Sequence, residues 1–312
     1  MKKLAAVLMA LPLAACINES DSDSVSVSGY LPTDEAGMSE LGALTEAGSE
    51  VGGQSQTLLG DTLNGSLGES NEVRSRSLSP SPQPRALIVQ PQSCEGQQGS
   101  FSVDLTDNAL TFIFDECAGE EGTVDGQIGF SLGDSFEQFA DQVMSGIFDF
   151  TLTVNYGDLT AINGDDYVYL NGDVTTEWLI SETAWEYGVT SGSLTYRDSV
   201  EHDFRLNNFE FDMQGDTTQN EGSLNTQWTY DYFITNEDGT FHVKSVGPIM
   251  LVDGLSEKRD GQITIEGVNA LLTITLDSDG DDEVVFSLDI DKDGTEDVTG
   301  TSSQADFYNW VF

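Results

Sequence analysis

The sequence predicts an all-β fold over residues 86–312: an antiparallel meander forming a curved sheet, barrel or two-layer sandwich, with one short helix. Three observations carry this. From Ala86 onward apolar and polar residues alternate in short runs, the period of strands with one buried face. Clusters of Gly, Asn and Asp separate those runs, which suits tight turns. Between Cys94 and Cys117 the pattern reads as a hairpin, with Phe101, Val103 and Leu105 facing Leu110, Phe112 and Phe114 across Thr106–Ala109.

Taken in order, strands are expected at Phe148–Val154, Tyr167–Leu170, Val174–Leu179, Ser193–Tyr196, Phe204–Met213, Trp228–Ile234, Thr240–Lys244, Gln262–Ile265, Leu271–Leu276 and Val284–Ile290. With the first hairpin they amount to about a dozen. Many follow a glycine and one further residue, as at Gly122, Gly172, Gly192, Gly222, Gly239 and Gly261, which reads as a series of hairpin corners where glycine supplies positive φ. Asp134–Met144 breaks the pattern. Phe136, Phe139, Ala140 and Val143 share one face after Asp134 and Ser135 as caps, which predicts a short amphipathic helix covering an edge or end of the sheet. A domain of about 225 residues can bury well over half of its unfolded surface, so core capacity is ample.

Residues 16–85 differ in kind. They are rich in Ser, Gly, Asp and Glu, poor in aromatics, and end in Ser77–Pro84, where every second residue from Pro80 onward is proline. Such a composition buries too little apolar surface to offset ordering entropy. A disordered tether is expected, with a reach on the order of 45 to 50 Å for about 70 residues.

Charge narrows the partners. The chain carries 55 acidic and 11 basic residues, a formal net charge of -44, which falls to -46 once residues 1–15 and their two lysines are removed. A field of that sign repels nucleic acid and anionic head groups and favours cations, basic partners or plain solubility in salt. Nucleic-acid binding is set aside. Two of the three cysteines, Cys94 and Cys117, suit a structural disulfide in an oxidising compartment. No Cys-x-x-Cys spacing or basic neighbour suggests redox chemistry.

The best candidate site is the acidic C-terminal stretch, where Asp277, Asp279 and Asp281 precede one strand and Asp289, Asp291, Asp293 and Asp297 follow it. Asp289–Gly294 has the D-x-D-x-D-G spacing and resembles the start of an EF-hand-type Ca²⁺ loop, in which alternate carboxylates converge and the glycine allows the turn. It departs at the twelfth position, where Gly300 stands in place of the bidentate glutamate. The competing reading is a pair of Asp-Gly hairpin turns in a solvated acidic surface. Bound Ca²⁺ is the one cofactor this pattern suggests.

Catalytic signatures are poor. His202 and His242 are the only histidines, and neither sits in a His-x-x-x-His or Gly-x-Ser-x-Gly context. Both read as solvated strand positions. Acidic pairs for glycoside hydrolysis are too numerous to single one out. Trp178, Trp185, Tyr187, Trp228, Tyr230 and Tyr232 could stack on a sugar or peptide, but aromatics dominate β cores and core is the favoured reading.

The N-terminus resembles a bacterial lipoprotein signal: Lys2 and Lys3, an apolar run Leu4–Leu13 too short to span a bilayer, then Leu13-Ala14-Ala15-Cys16 in the form of a lipobox. The resemblance implies that residues 1–15 are removed and that Cys16 becomes the acylated, palmitate-bearing first residue of an exported protein. Cys94–Gly96, Cys117, Gly122–Gly126 and Gly261–Ile265 leading into the Asp-rich hairpin together resemble uncharacterised, β-rich outer-membrane lipoproteins of Proteobacteria. Ile17 is not the aspartate that retains lipoproteins at the inner membrane, so the resemblance implies the outer membrane. Tyr308–Phe312 is similar to the aromatic terminus of outer-membrane barrels, but charges on both strand faces argue against a lipid-exposed band. Two functions are expected from these readings. One is a non-enzymatic envelope lipoprotein whose tethered β domain binds or scaffolds an envelope protein or glycan; the alternative is a secreted, membrane-anchored hydrolase of polysaccharide or peptide.

Overall fold

Alternating apolar residues can bury one strand face only if each strand finds a ladder partner, and the computed structural model shows how they do. It describes residues 25–33, 87–94, 98–119, 122–135, 138, 142, 148–181, 184–199, 203–216, 226–251, 259–276 and 283–303. Fifteen strands follow one another: β1 (Leu87–Ser93), β2 (Ser100–Leu105), β3 (Ala109–Gly119), β4 (Gly122–Leu132), β5 (Phe148–Asn163), β6 (Asp166–Ile180), β7 (Ala184–Asp198), β8 (Asp203–Asp216), β9 (Thr226–Asn236), β10 (Gly239–Ser245), β11 (Ile249–Leu251), β12 (Arg259–Glu266), β13 (Leu271–Leu276), β14 (Glu283–Asp289) and β15 (Val298–Ser303).

Each strand pairs antiparallel with its neighbour in sequence, giving one open meander; the sheet does not close into a barrel. The exception is short β11, which lies off the path and pairs with both β9 and β12 beyond the end of β10. No helix is among the elements of the described residues. Most of the expected Asp134–Met144 helix lies outside them. Its start is visible in Ser135 and Gln138, which exchange hydrogen bonds: Gln138 N–H donates to Ser135 Oγ at 3.3 Å and Ser135 N–H to Gln138 Oε1 at 3.1 Å, the reciprocal pattern of a helix cap.

The first hairpin has the register its sequence predicts, with Leu105 opposite Leu110, Val103 opposite Phe112 and Phe101 opposite Phe114. Beyond it Cys94 and Cys117 form a disulfide with their Cα atoms 5.5 Å apart, joining the end of β1 to β3 across β2. One face of the sheet carries a continuous core running from Phe114 and Val124 through Leu170, Tyr196 and Ile234 to Leu272, Ile274 and Leu288. Tyr187 and Tyr232 are buried there, with Trp178, Trp185 and Tyr230 packed against it, so these aromatics belong to the core, and Trp178 and Tyr187 also border the cleft described below.

The long strands do not run straight. Register shifts occur at Phe114/Cys117, Asp125/Gln127, Tyr156/Leu159, Gly172/Thr175 and Asn207/Glu210, so irregularities recur in the ladders from β3 to β9, with the β7–β8 ladder alone in unbroken register along this seam. Each bulge adds a residue, bends its strand and reverses which parity faces the core. Five of the positions there have positive φ: Glu116 (48°), Asp158 (49°), Asn208 (50°), Gly126 (98°) and Gly172 (132°). Two of their N–H groups are met by side chains one strand away. Glu116 N–H donates to Asp125 Oδ1 at 3.0 Å, and Asp158 N–H to Asn171 Oδ1 at 3.2 Å. The seam corrects one sequence expectation. Gly122 and Gly239 do open strands after turns, but Gly172, Gly192 and Gly261 lie inside β6, β7 and β12; Gly222 is outside the described residues. Tyr167–Leu170 and Val174–Leu179 are accordingly one strand.

A second departure from expectation is Val25–Thr33. Read from composition as tether, it is seated on the body. Ser28 and Gly29 N–H both donate to the Thr240 carbonyl at 2.9 Å, and Thr240 N–H donates to Ser28 Oγ at 3.0 Å. Val268 N–H donates to the Gly29 carbonyl at 2.7 Å. Asn269 binds both backbone groups of Leu31, accepting from its N–H at 2.8 Å and donating to its carbonyl at 2.9 Å. Leu31 itself is 2 % exposed and belongs to the core.

Candidate metal centre and acidic cleft

Two groups of carboxylates stand out, one on a loop and one on the sheet. The loop follows β14. Its backbone folds tightly because Lys292 (φ 58°) and Gly294 (φ 86°) take left-handed conformations. Asp289 accepts from Asp293 N–H at 3.1 Å and from Gly294 N–H at 2.8 Å; Asp293 Oδ1 accepts from Thr295 N–H at 2.8 Å; Asp297 Oδ2 accepts from Ile290 N–H at 2.8 Å. Asp297 N–H then returns to the Leu288 carbonyl at 2.9 Å and starts β15.

Within this turn Asp289, Asp291 and Asp297 each present an oxygen, all within 4.8 Å of one another. Ligands about 2.3 to 2.6 Å from a Ca²⁺ ion lie up to roughly twice that distance apart, so the spacing suits one ion. The third acid of the D-x-D-x-D-G run, Asp293, is outside that group. Asp297 occupies the ninth position of the loop, where EF-hand loops also place a ligand, often through water. Gly300 is committed to the β15 ladder opposite Phe286. Lys292, which belongs to the loop, is engaged elsewhere: its Nζ pairs with Glu266 at 2.8 Å and holds that carboxyl below its usual range. Three carboxylates at this spacing, Asp289 half-buried and Asp291 and Asp297 exposed, repel one another unless a cation or salt intervenes. Asp277, Asp279 and Asp281, the other half of the expected acidic site, lie outside the described residues, as do Cys16, His202 and Tyr308–Phe312.

The second group lies on the face away from the core. Cross-strand pairing sets Thr151, Glu177, Gly188, Asp212 and Thr229 in one row over β5 to β9, and Asp149, Leu179, Glu186, Gln214 and Gln227 in the next. Together with Phe150, Trp178, Tyr187, Met213 and Pro248 they line a cleft of about 540 Å³. Gly188, without a side chain, sits between Glu177 and Asp212 in the middle of the first row. The Asp212 carboxyl is pushed up by partial burial, with Glu177 and Glu186 adding to the effect. Glu210 is raised by burial and by Asp212 and Asp231. Sequence reasoning missed this group because acids are everywhere in the chain, and only cross-strand register shows which of them meet.

His242 takes no part in either group. It stacks on Phe233 with centroids 4.4 Å apart, and its Nε2 meets Asp231 at 2.5 Å. Comparison with protein-family models, curated proteins and solved structures found no match to this chain.

Proposed function

We propose that the protein is an outer-membrane lipoprotein, acylated at Cys16, whose β body binds or scaffolds an envelope partner and is stabilised by Ca²⁺ at the loop after β14. The observation that carries the metal assignment is the convergence of Asp289, Asp291 and Asp297 within 4.8 Å on a loop with D-x-D-x-D-G spacing. The lipobox supports the anchor, and the strongly negative charge supports a cationic or polar partner rather than nucleic acid.

Calorimetric titration of the full chain with Ca²⁺ should give saturable heat and a higher melting temperature, reversed by EDTA. At a free concentration of 100 times Kd, linkage predicts about 2.7 kcal/mol of added stability. Asp289→Asn combined with Asp291→Asn should abolish both responses. No heat and no EDTA effect would remove the metal from the proposal; an unmodified Cys16 thiol in mass spectra of the membrane fraction would remove the anchor.

A second reading, a hydrolase of polysaccharide or peptide, is favoured by the cleft at Glu177, Glu186 and Asp212. A carboxyl raised by burial beside ionised neighbours is the kind of group that serves as a general acid. Release of reducing ends or new amines from envelope glycan or peptide, lost in Asp212→Asn and Glu177→Gln, would establish it. Equal turnover in these variants would exclude it.

A further inference from the structure

Resting on the acylation of Cys16, we propose that residues 25–33 are a strap that fixes the lipid anchor to one end of the body, so that the end carrying the β9–β10 and β12–β13 turns and the β14–β15 loop faces the membrane. The expected alternative is a body hanging on all of residues 16–85 and free to tumble at their tip.

The strap is built into the fold. Its backbone takes up groups at two hairpin ends, Thr240 beside the β9–β10 turn and Val268 and Asn269 in the β12–β13 turn. Its buried side chain, Leu31, completes the core between them. The fit is close at three glycines. A Cβ on Gly29 would collide with the Phe241 ring, one on Gly239 would press on Gly29 Cα at 2.6 Å, and one on Gly267 would press on Leu31 Cγ at 2.7 Å. The two turns need small residues because the strap crosses there.

Only eight residues, Ile17 to Ser24, separate Cys16 from Val25. Fully extended they span at most about 30 Å. The β14–β15 loop is at the same end of the sheet, since Asp289 pairs with Leu271 at the start of β13 and Lys292 reaches Glu266 at the end of β12. The β10–β11 corner at Val246 lies at the other end of β10, about 23 Å away for seven residues of strand. Residues 34–86 then join the strap to β1 without setting the distance between lipid and body.

The arrangement has a consequence that can be read directly. Cutting the chain within residues 34–86 should leave the body on the membrane, held by the strap alone. The experiment uses the full-length lipidated protein in vesicles of neutral phospholipid, with a specific protease recognition sequence replacing residues 60–66. After complete cleavage more than nine-tenths of the body should still sediment with the vesicles, and Leu31→Asp should reduce that several-fold. Release of the unaltered strap protein on cleavage would overturn the proposal.

The same cut made in Cys16→Ala protein, free of lipid, reads the strap alone: the fragment containing residues 25–33 should co-elute with the body in gel filtration. Co-elution here, together with failure of the uncut protein with Cys16 intact to sediment with the vesicles, would condemn the acylation reading and leave the strap intact. Fluorophores at Asp238→Cys and Val246→Cys supply the orientation. A quencher on the lipid head group should dim the first strongly and the second weakly, and equal quenching would overturn the orientation.

Discussion

Gly172 shows what a single residue decides in this sheet. Its φ is 132°, and a Cβ there would run into the backbone of Ser193 and Leu194 on the neighbouring strand. Gly172→Ala should therefore lower stability by about 1 to 3 kcal/mol, seen as a lower urea midpoint at unchanged slope. Asp212 acts in the other direction. Its native carboxyl holds a proton more tightly than the unfolded one, so its contribution to stability is present at acid pH and lost as pH rises through the native value. Asp212→Asn should raise the melting temperature at pH 7, and the gain should vanish below about pH 4, where the unfolded carboxyl is itself protonated. Alternation of polarity made the inward residues legible, Leu272 and Ile274 among them. The Asn-Gly and Asp-Gly pairs were less transparent. Asn171-Gly172 and Asp125-Gly126 carry the strongest short-range hairpin signal, yet they lie inside long strands, opposite bulges on their neighbours. Positive φ is what such a pair supplies, and either structure can use it.

At the level of elements, the β2–β3 hairpin was readable to the residue because three apolar pairs fix its register, and a slip by one would turn the three apolar side chains of one strand away from those of the other. The disulfide followed from that register and holds β1 to β3 over a separation of 23 residues. Replacing Cys94 and Cys117 by alanine, or reducing the native protein, should cost about 3 kcal/mol through the loop entropy regained by the unfolded chain, measurable as a lower denaturation midpoint. The strap was invisible to composition. Ser28, Gly29 and Leu31 are too few to mark a strand, and their partners Thr240, Val268 and Asn269 lie more than 200 positions later in the chain. The cleft was hidden for a related reason. Glu177, Glu186 and Asp212 become neighbours only when β6, β7 and β8 pair in one register.

Across the whole molecule, net charge acts on stability whatever the details of the fold. A body this acidic repels itself, and the screening length falls from about 30 Å at 0.01 M salt to 3 Å at 1 M. Its melting temperature should climb steadily as NaCl is raised over that range. A Ca²⁺ site responds differently, saturating at low concentration and disappearing with Asp289 and Asp291, so the two cation effects separate in one set of thermal scans. The sheet also stops short of closing, with β1 and β15 each holding a single ladder neighbour among the described residues. In β1 the pairing breaks between Val89 and Gln92, where Pro91 has no N–H to offer, and the Cys94–Cys117 bond keeps the strand from peeling away. A proline kink and a covalent staple on the same terminal ribbon deny an incoming chain the flat, hydrogen-bond-ready template on which copies packed side by side would otherwise zip into fibres.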